Sequence, residues 1–336
     1  MLPFIERGMA SSPRIFVTRQ LPAPIEARMA QLFGHTPRTV DNALDAAGIV
    51  LRGRGASVLV STVTDSINRE VMDGLLPELK LIANFGAGVD HIDIAYAKSK
   101  GITVTNTPSV LTEDTADLAF ALILAVPRRL NEGMAAIRTR AWQGWSPLYL
   151  LGHRINGKKL GIIGMGRIGQ AVARRARGFG MAVHYHQRQR LHASVEAEFG
   201  ARFHPTLESL LQAVDIVTLH CPHTKDTHQM MNADRLALMP PSSYLINTAR
   251  GALVDEEALV DALKSGRLAG AGLDVYANAP ELATGLRDLP NVVLLPHISS
   301  ATLESRLEMG ERVVINIRTF LDGHTPPDKV LIEEVG

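Results

Sequence analysis

Three stretches hold residue types that can move a proton and grip an anion: INTARGALVDEEAL (246–259), AGAGLDVYANAP (269–280) and NVVLLPHISSAT (291–302). Each places polar groups at the carboxyl end of an apolar, strand-like run, which is where open α/β sheets take ligands. The planar guanidinium of Arg250 suits a carboxylate and a neighbouring carbonyl, through paired charge-assisted hydrogen bonds. His297 has the chemistry to give or take the proton that accompanies hydride transfer. A lone arginine or histidine is ordinarily structural. Both together, at strand ends downstream of a dinucleotide loop, favour the functional reading.

That loop is KLGIIGMGRIGQAVARRARGFG (159–180), in which Gly164, Gly166 and Gly169 form a GxGxxG pattern. On its own the pattern is weak. Here a strand precedes it, and a helix follows with Ile168, Val172, Ala176 and Phe179 expected on one face. Gly164 would make the tight turn, Gly166 would let backbone approach a pyrophosphate, and Gly169 would let helix and strand pack closely. The free N–H groups at the helix N-terminus would face the anion. The ARRAR run within that helix reads as its solvated face rather than a nucleic-acid contact.

The next strand ends VHYHQRQR (183–190). An NAD site usually places an acid here to accept hydrogen bonds from the ribose hydroxyls, whereas an arginine accommodates the 2′-phosphate of NADP. His186 and Gln187 stand in the acid's place, with Arg188 and Arg190 following. Losing the acid also removes repulsion of the phosphate. The cofactor expected is therefore NADP(H), ahead of NAD(H). HCPHTKDTH (220–228) offers His220, Cys221, His223 and His228 as metal ligands, but adjacent residues at a strand end diverge, so no metal is expected.

The elements that must position these groups follow from the rest of the chain. Its 336 residues suggest two domains, and 46% hydrophobic with 21% charged residues is ordinary for a globular enzyme. A net charge of +1, from 35 basic and 34 acidic residues, argues against nucleic acid or a membrane surface as partner. The single Cys221 fits a reducing compartment, and the longest apolar run, near Leu118–Val126, is too short to span a membrane. MLPFIERGMASSP lacks the order of a signal peptide, and Met9 is a second possible start; the cytoplasm is the expected location. Strand-like runs fall at 14–18, 57–61, 80–85, 159–164, 181–186, 214–220, 242–248, 269–275 and 291–296. They alternate with helical segments, as in parallel sheets covered on both faces. EDTADLAFALILAVPRRL reads as a long helix bent or ended near Pro127, and 302–321 as a final helix returning to the first domain.

At this point the chain resembles the D-isomer-specific 2-hydroxyacid dehydrogenases. The likeness spans nearly its whole length: NFGAGVDHID (84–93), NTPSVLTEDTADLA (106–119), LGIIGMGRIGQ (160–170), LHCPHTKDTHQMMN (219–232), NTARGALVDEEAL and PHISSAT. Within the family, VHYHQRQR looks most like the NADPH-dependent glyoxylate and hydroxypyruvate reductases. The resemblance implies two Rossmann-like, doubly wound parallel-sheet α/β domains with an interdomain cleft. One is a flavodoxin-like substrate domain (13–107 and 298–336) and the other a dinucleotide-binding domain (108–297). It implies that the amides of Ala87 and Gly88 take the substrate carboxylate. Arg250 would bind and polarise the substrate, and His297 would serve as general acid and base. Thr115, Gly164, Gly166, Arg167, Ile168, Gly169, His186, Gln187, Arg188, His220, Cys221, Pro222, Thr227, Thr248, Ala249, Asp274 and His297 would line the cofactor. Trp142 would lie at a homodimer interface, and Arg54, Trp142 and Trp145 are candidates for the substrate pocket.

One position departs from the family. Its catalytic glutamate stands immediately before the proline of this strand-end segment, and here DVYANAP places Ala279 there. Glu281 is the expected substitute if the loop bends back. Two alternatives to keto-acid reduction stay open: a dinucleotide-sensing corepressor-like binding protein, and a formate- or phosphite-type dehydrogenase.

Overall fold

A computed structural model describes residues 13–331. The chain divides into two compact units, one of the residues up to Val110 with those from Thr302 onward, the other of Leu111–Ala301. The expectation about the first twelve residues lies outside the described residues.

In the first unit, β1 (Ile15–Val17), β2 (Val58–Thr62), β3 (Leu81–Phe85) and β4 (Thr103–Thr105) lie side by side in chain order, all parallel. Helices α1 (Ala23–Phe33), α2 (Ala46–Gly53), α3 (Arg69–Leu75) and α4 (Ile94–Ser99) link them. Alternate strand residues feed two cores, because successive side chains in a strand point to opposite faces. Val58, Val60, Leu81 and Ala83 pack with Ile25 and Met29 of α1 and with Met309, Val313 and Ile317 of the C-terminal helix, Leu303–Leu321. Leu59, Ile82 and Val104 pack with Ile49, Val71, Met72 and Ala97 on the other face. With both faces dry, the strands read as continuous apolar runs. Each such aliphatic side chain, fully buried, stabilises the unit by roughly 1.5–3 kcal/mol.

The second unit holds β5 (Lys159–Ile163), β6 (Ala182–His186), β7 (Arg202–Phe203), β8 (Ile216–Leu219), β9 (Tyr244–Asn247), β10 (Gly270–Leu273) and β11 (Val292–Leu294). Their order is β11-β10-β9-β8-β5-β6-β7, every pairing parallel. The order reverses between β5 and β8, the switch point at which such sheets take dinucleotides. Helices α5 (Thr112–Ala125), α6 (Leu130–Arg138), α7 (Arg167–Gly178), α8 (Ala193–Phe199), α9 (Leu207–Leu211), α10 (Ala233–Leu238) and α11 (Glu256–Lys264) complete it. One face packs on α5 and α7, through Ala116, Ala119, Val172 and Ala176, and the other on α9, α10 and α11, through Leu210, Leu236 and Leu259.

Both sheets are thus parallel with helices on two faces, the architecture expected. Two strands lie outside the runs read from sequence: β4 has three residues and β7 only two, too short for periodicity to register. A helix does end before Pro127, at Ala125. Phe179 corrects the expected apolar face of α7. It falls just past the helix end, is 44% exposed, and sets its ring 4.8 Å from that of Phe120. Within ARRAR, Arg174 is exposed, but Arg175 reaches α5 and binds Asp117 and Glu113.

Candidate active site

The glycine loop can be tested glycine by glycine. Gly164 has φ +92°, and a Cβ there would come within 2.8 Å of the His220 carbonyl and the Cys221 nitrogen. The ends of β5 and β8 are therefore in backbone contact at the switch point. A Cβ on Gly169 would lie 2.2 Å from the Gly164 carbonyl oxygen, so only glycine lets α7 seat on β5. A Cβ on Gly166 would meet nothing within 4 Å. Space thus opens at the position where backbone must approach a phosphate, directly before α7. Gly166 is the N-cap of α7 and supplies no side-chain cap, so the first-turn amides face that space with the positive end of the helix dipole. Two buried hydroxyls of this unit, Thr115 Oγ1 and Thr248 Oγ1, have no hydrogen-bond partner among the described residues. An open glycine cradle, uncapped amides and orphaned hydroxyls fit a dinucleotide.

The end of β6 is organised around its side chains. The imidazole of His186 donates from Nδ1 to the His204 carbonyl at 2.9 Å, which leaves Nε2 as the other ring nitrogen. Gln187 accepts from the Met165 amide at 3.0 Å and donates to the Gln189 carbonyl at 2.6 Å, tying the strand end to the glycine loop. The two arginines part ways. Arg190 is bound bidentately to Glu196 at 2.8 and 2.8 Å. Glu196 also accepts from the Tyr185 hydroxyl at 2.6 Å, and these bonds, Arg190 first, hold its carboxyl down at about 2. The side chains of Arg188 and Arg167 are exposed and form no ion pair or hydrogen bond among the described residues. Beneath them His184 Nδ1 meets His204 Nε2 at 2.9 Å, and burial, then the neighbouring His204, lowers His184 to about 4.

Beyond β8, His220 turns inward onto the Thr218 hydroxyl at 2.8 Å, and burial lowers its pKa to about 3. His220 and Cys221 thus present backbone to the glycine loop. Burial also raises the Cys221 thiol to about 11. Thr227 closes its own loop, donating to the Pro222 carbonyl at 2.8 Å and accepting from the Thr224 amide at 2.7 Å. His223 and His228 meet each other at 3.2 Å, whereas His220 is turned onto Thr218.

The loops carrying Arg250 and His297 are each pinned by a buried polar residue at a strand end. Asn247, the last residue of β9, donates to the Arg250 carbonyl at 2.8 Å and accepts from the Ala249 amide at 3.0 Å. Arg250 itself donates from Nη1 to the Ala249 carbonyl at 2.7 Å. His297 lies in the left-handed region at φ +57°, a conformation a non-glycine residue keeps only when its surroundings impose it. Those surroundings are Asp274 and Tyr276. Asp274, 0% exposed, accepts from the Ile298 amide at 2.8 Å and the Ser299 amide at 2.9 Å. Tyr276 donates to the Leu295 carbonyl at 2.9 Å. Gly251 packs so tightly on the Tyr276–Ala277 backbone that a Cβ would lie 1.9 Å from the Tyr276 carbonyl carbon. The same backbone is held by Glu256, which accepts from the Ala277 amide at 2.6 Å. The Arg250 and His297 loops thus share one support. Both carboxylate oxygens of Asp274 are engaged in it. Ala279 is exposed, and Glu281 is exposed with its amide on the Asn278 carbonyl at 3.0 Å and its carboxylate forming no hydrogen bond or ion pair among the described residues, so it does not stand in for the missing glutamate.

The first unit has its own anion-shaped loop after β3. The carbonyls of Gly86 and Gly88 accept from Asn84 Nδ2 at 3.0 and 2.9 Å, and that of Ala87 accepts from Asn106 Nδ2 at 2.7 Å. The Thr107 amide also donates to the Gly86 carbonyl, at 3.0 Å. With every carbonyl turned inward, the amides of Ala87 and Gly88 donate no hydrogen bond among the described residues. Asn84 is itself fully buried, accepting from Ser61 at 3.2 Å and meeting His91 Nε2 at 3.0 Å. Sequence reasoning missed Asn84, Asn106, Asn247 and Tyr276; an amide side chain at a strand end, able to bond backbone nearby, was the available signal. Of the pocket candidates, Arg54 is exposed, as are Trp142 and Trp145, the last by 85%.

Comparison with known proteins gives the same picture from outside. Residues 120–299 match the family model for the D-isomer specific 2-hydroxyacid dehydrogenase NAD binding domain. A glyoxylate reductase of Thermococcus litoralis is 46% identical over 323 residues, 95% of this chain and 96% of that protein. A crystal structure of a D-isomer specific 2-hydroxyacid dehydrogenase from a Polaromonas species has a TM-score of 0.90 at 42% identity, covering 95% of this chain and 99% of that one. The NADPH-dependent glyoxylate/hydroxypyruvate reductase of Sinorhizobium meliloti, solved with NADP and malonate, has a TM-score of 0.84 at 38% identity, with 95% and 97% coverage.

Proposed function

We propose, for a chain that belongs to the D-isomer specific 2-hydroxyacid dehydrogenase family and is an oxidoreductase, that it reduces glyoxylate or hydroxypyruvate with NADPH. The observation that carries the cofactor is the end of β6. His186 and Gln187 stand at the strand end in place of an acid, Arg190 is neutralised by Glu196, and Arg188 is left as a guanidinium for a 2′-phosphate. The small 2-keto acid is supported by the relatives named glyoxylate reductase.

NADPH supplies the hydride when bound. The remaining work belongs to this chain. On the first unit, the Ala87 and Gly88 amides take the substrate carboxylate. On the second, Arg250 draws electron density from the keto oxygen, and His297 protonates the alkoxide as it develops. Asn247 and Asp274 keep those two loops in place beforehand, so little reorganisation accompanies the reaction. The domain roles follow: the residues up to Val110 with the C-terminal segment bind substrate, and Leu111–Ala301 binds cofactor.

A homodimer belongs to the same reading. Leu130, Met134, Ile137, Trp145, Leu148 and Leu151 are 47–85% exposed within one stretch of the second unit. An apolar surface of that kind is usually covered by a partner. Light scattering on the purified protein should give twice the chain mass, and Trp145→Glu should give the monomer.

The primary test is initial rates with glyoxylate and hydroxypyruvate, run with NADPH and NADH in parallel. NADPH should be favoured by about tenfold or more in kcat/KM, the worth of one charge-assisted contact. Equal or greater turnover with NADH overturns the cofactor assignment. Tight NADPH binding without turnover of either acid selects the dinucleotide-sensing reading, which Ala279 and the exposed Glu281 favour.

A further inference from the structure

We infer that Arg306, near the start of the C-terminal helix, is a substrate-binding residue that grips the carboxylate together with the amides of Ala87 and Gly88. The inference rests on the keto-acid reading above and adds a residue to it.

Arg306 lies over the ring of Phe85, with Cζ 5.9 Å from the ring centroid. Phe85 is 5% exposed, ends β3, and is followed directly by the Gly86–Gly88 loop. The cation therefore lies over the last residue of the strand from which the amide loop departs, although 221 residues separate Arg306 from Phe85. The helix bearing Arg306 is fixed against this end of the sheet. Thr302 caps it by accepting from the Ser305 amide at 3.0 Å, Ser305 donates to the Val110 carbonyl at 3.5 Å, and Met309 and Val313 pack under β3.

What sets Arg306 apart is the lack of an anion. Its guanidinium forms no ion pair or hydrogen bond among the described residues. Glu304 and Glu308, beside it on the same helix, are exposed and do not pair with it. His91, on the loop after β3, has its Nε2 against Asn84. The guanidinium stays charged at any working pH, and burial alone pushes its pKa below the usual value, so the cation is partly stripped of water without a counter-charge in return. An aromatic face compensates only part of that loss. On the loop that follows Phe85 are amides whose carbonyls are all taken up by side chains, donors suited to an anion. A planar fork and two amides can share the two oxygens of one carboxylate. This recognition is of charge, so it separates a keto acid from its uncharged ester, which Arg250 and His297 alone would polarise and protonate equally well.

The test compares wild type, Arg306→Gln and Arg306→Lys with glyoxylate and with methyl glyoxylate, and titrates each with oxamate, an unreactive carboxylate analogue, in the presence of cofactor. Arg306→Gln should raise the KM for glyoxylate and the oxamate Kd by about tenfold or more, the usual effect of losing a charged hydrogen bond. The kcat should change little, methyl glyoxylate should be used as by wild type, and Arg306→Lys should fall between. A merely structural arginine would weaken acid and ester alike, and that outcome overturns the inference. Unchanged oxamate affinity in a folded Arg306→Gln overturns Arg306 alone. If Arg306→Gln does not fold, Arg306→Lys decides by the same acid-against-ester ratio. Wild-type protein that binds no oxamate and reduces neither acid overturns the parent reading, and this one with it.

Discussion

The chain turns backbone amides outward in two loops, and it does so by different means. The 164–169 loop of the second unit relies on glycines: close backbone contact at Gly164 and Gly169, open space at Gly166, and a helix N-terminus behind. The 86–88 loop of the first unit has no helix behind it. It relies on two asparagines, Asn84 and Asn106, that take up the carbonyls and leave the amides outward. One loop is shaped by what is absent from its side chains, the other by side chains elsewhere. The first should therefore be broken by adding atoms, and the second by removing a hydrogen-bond partner.

The largest effect is expected from Gly166→Val. Its side chain enters the open space and should weaken NADPH binding by about 100-fold or more while leaving the Tm near wild type, since nothing in the fold lies within 4 Å of the new Cβ. Gly169→Ala sharpens the contrast. Its methyl meets the Gly164 carbonyl oxygen at 2.2 Å, so the Tm should fall together with binding. Fluorescence titration and thermal melts on the same samples separate the two. If Gly166→Val binds NADPH normally, the cradle is not where the pyrophosphate sits.

Asn84→Ala should have the next effect, on the other loop. It frees the Gly86 and Gly88 carbonyls and strips partners from Ser61 and His91, which should destabilise the protein by about 1–3 kcal/mol. The KM for glyoxylate should rise about tenfold, with NADPH affinity unchanged. A rise in NADPH Kd of similar size would show that the two loops are not independent.

Arg188→Gln probes the rim of the glycine loop. NADPH preference should drop about tenfold with little change for NADH, because only the 2′-phosphate separates the cofactors. The converse change, Arg190→Gln, should do less to preference and more to local order, because Arg190 serves Glu196.

The smallest effect is a pH dependence. In the folded chain burial lowers His184 to about 4 and His220 to about 3, from an ordinary 6.5. The unfolded chain protonates both as pH falls through 6.5, whereas the folded chain resists until about 4 and 3. Unfolded protein then binds more protons, so this contribution to stability is fully present above pH 6.5 and is lost progressively as pH falls toward 4. Thermal melts at pH 7, 6 and 5 should show a steadily falling Tm, with a shallower fall in His220→Asn. His184 lies on β6 and His220 just past β8, the two strands flanking β5, so NADPH binding should be lost in step.

Much of this molecule was legible from residues alone. The parallel architecture followed from apolar runs interrupted by helical segments, because a strand buried on both faces has little room for polar residues. The glycine loop was legible because steric exclusion of a Cβ leaves one residue type. Arg250 and His297 were singled out as candidates because strand ends are where chemistry collects in such sheets. The short β4 and β7 were not legible, and Phe179 was misplaced, since periodicity carries no signal in two or three residues and does not mark where a helix ends.

By itself, then, the sequence determined the parallel α/β class and the dinucleotide class of cofactor, because those depend on local chemistry and strand order. Only the tertiary structure decided which arginine of VHYHQRQR pairs with Glu196, that both oxygens of Asp274 hold the loop of His297, and that the Glu281 carboxylate forms no contact there. Only the tertiary structure, likewise, carried Arg306 to the ring of Phe85, more than two hundred residues away in the chain. These are questions of which partner a polar group reaches. Several partners lie within reach of every charged side chain in a sequence, and packing alone selects among them.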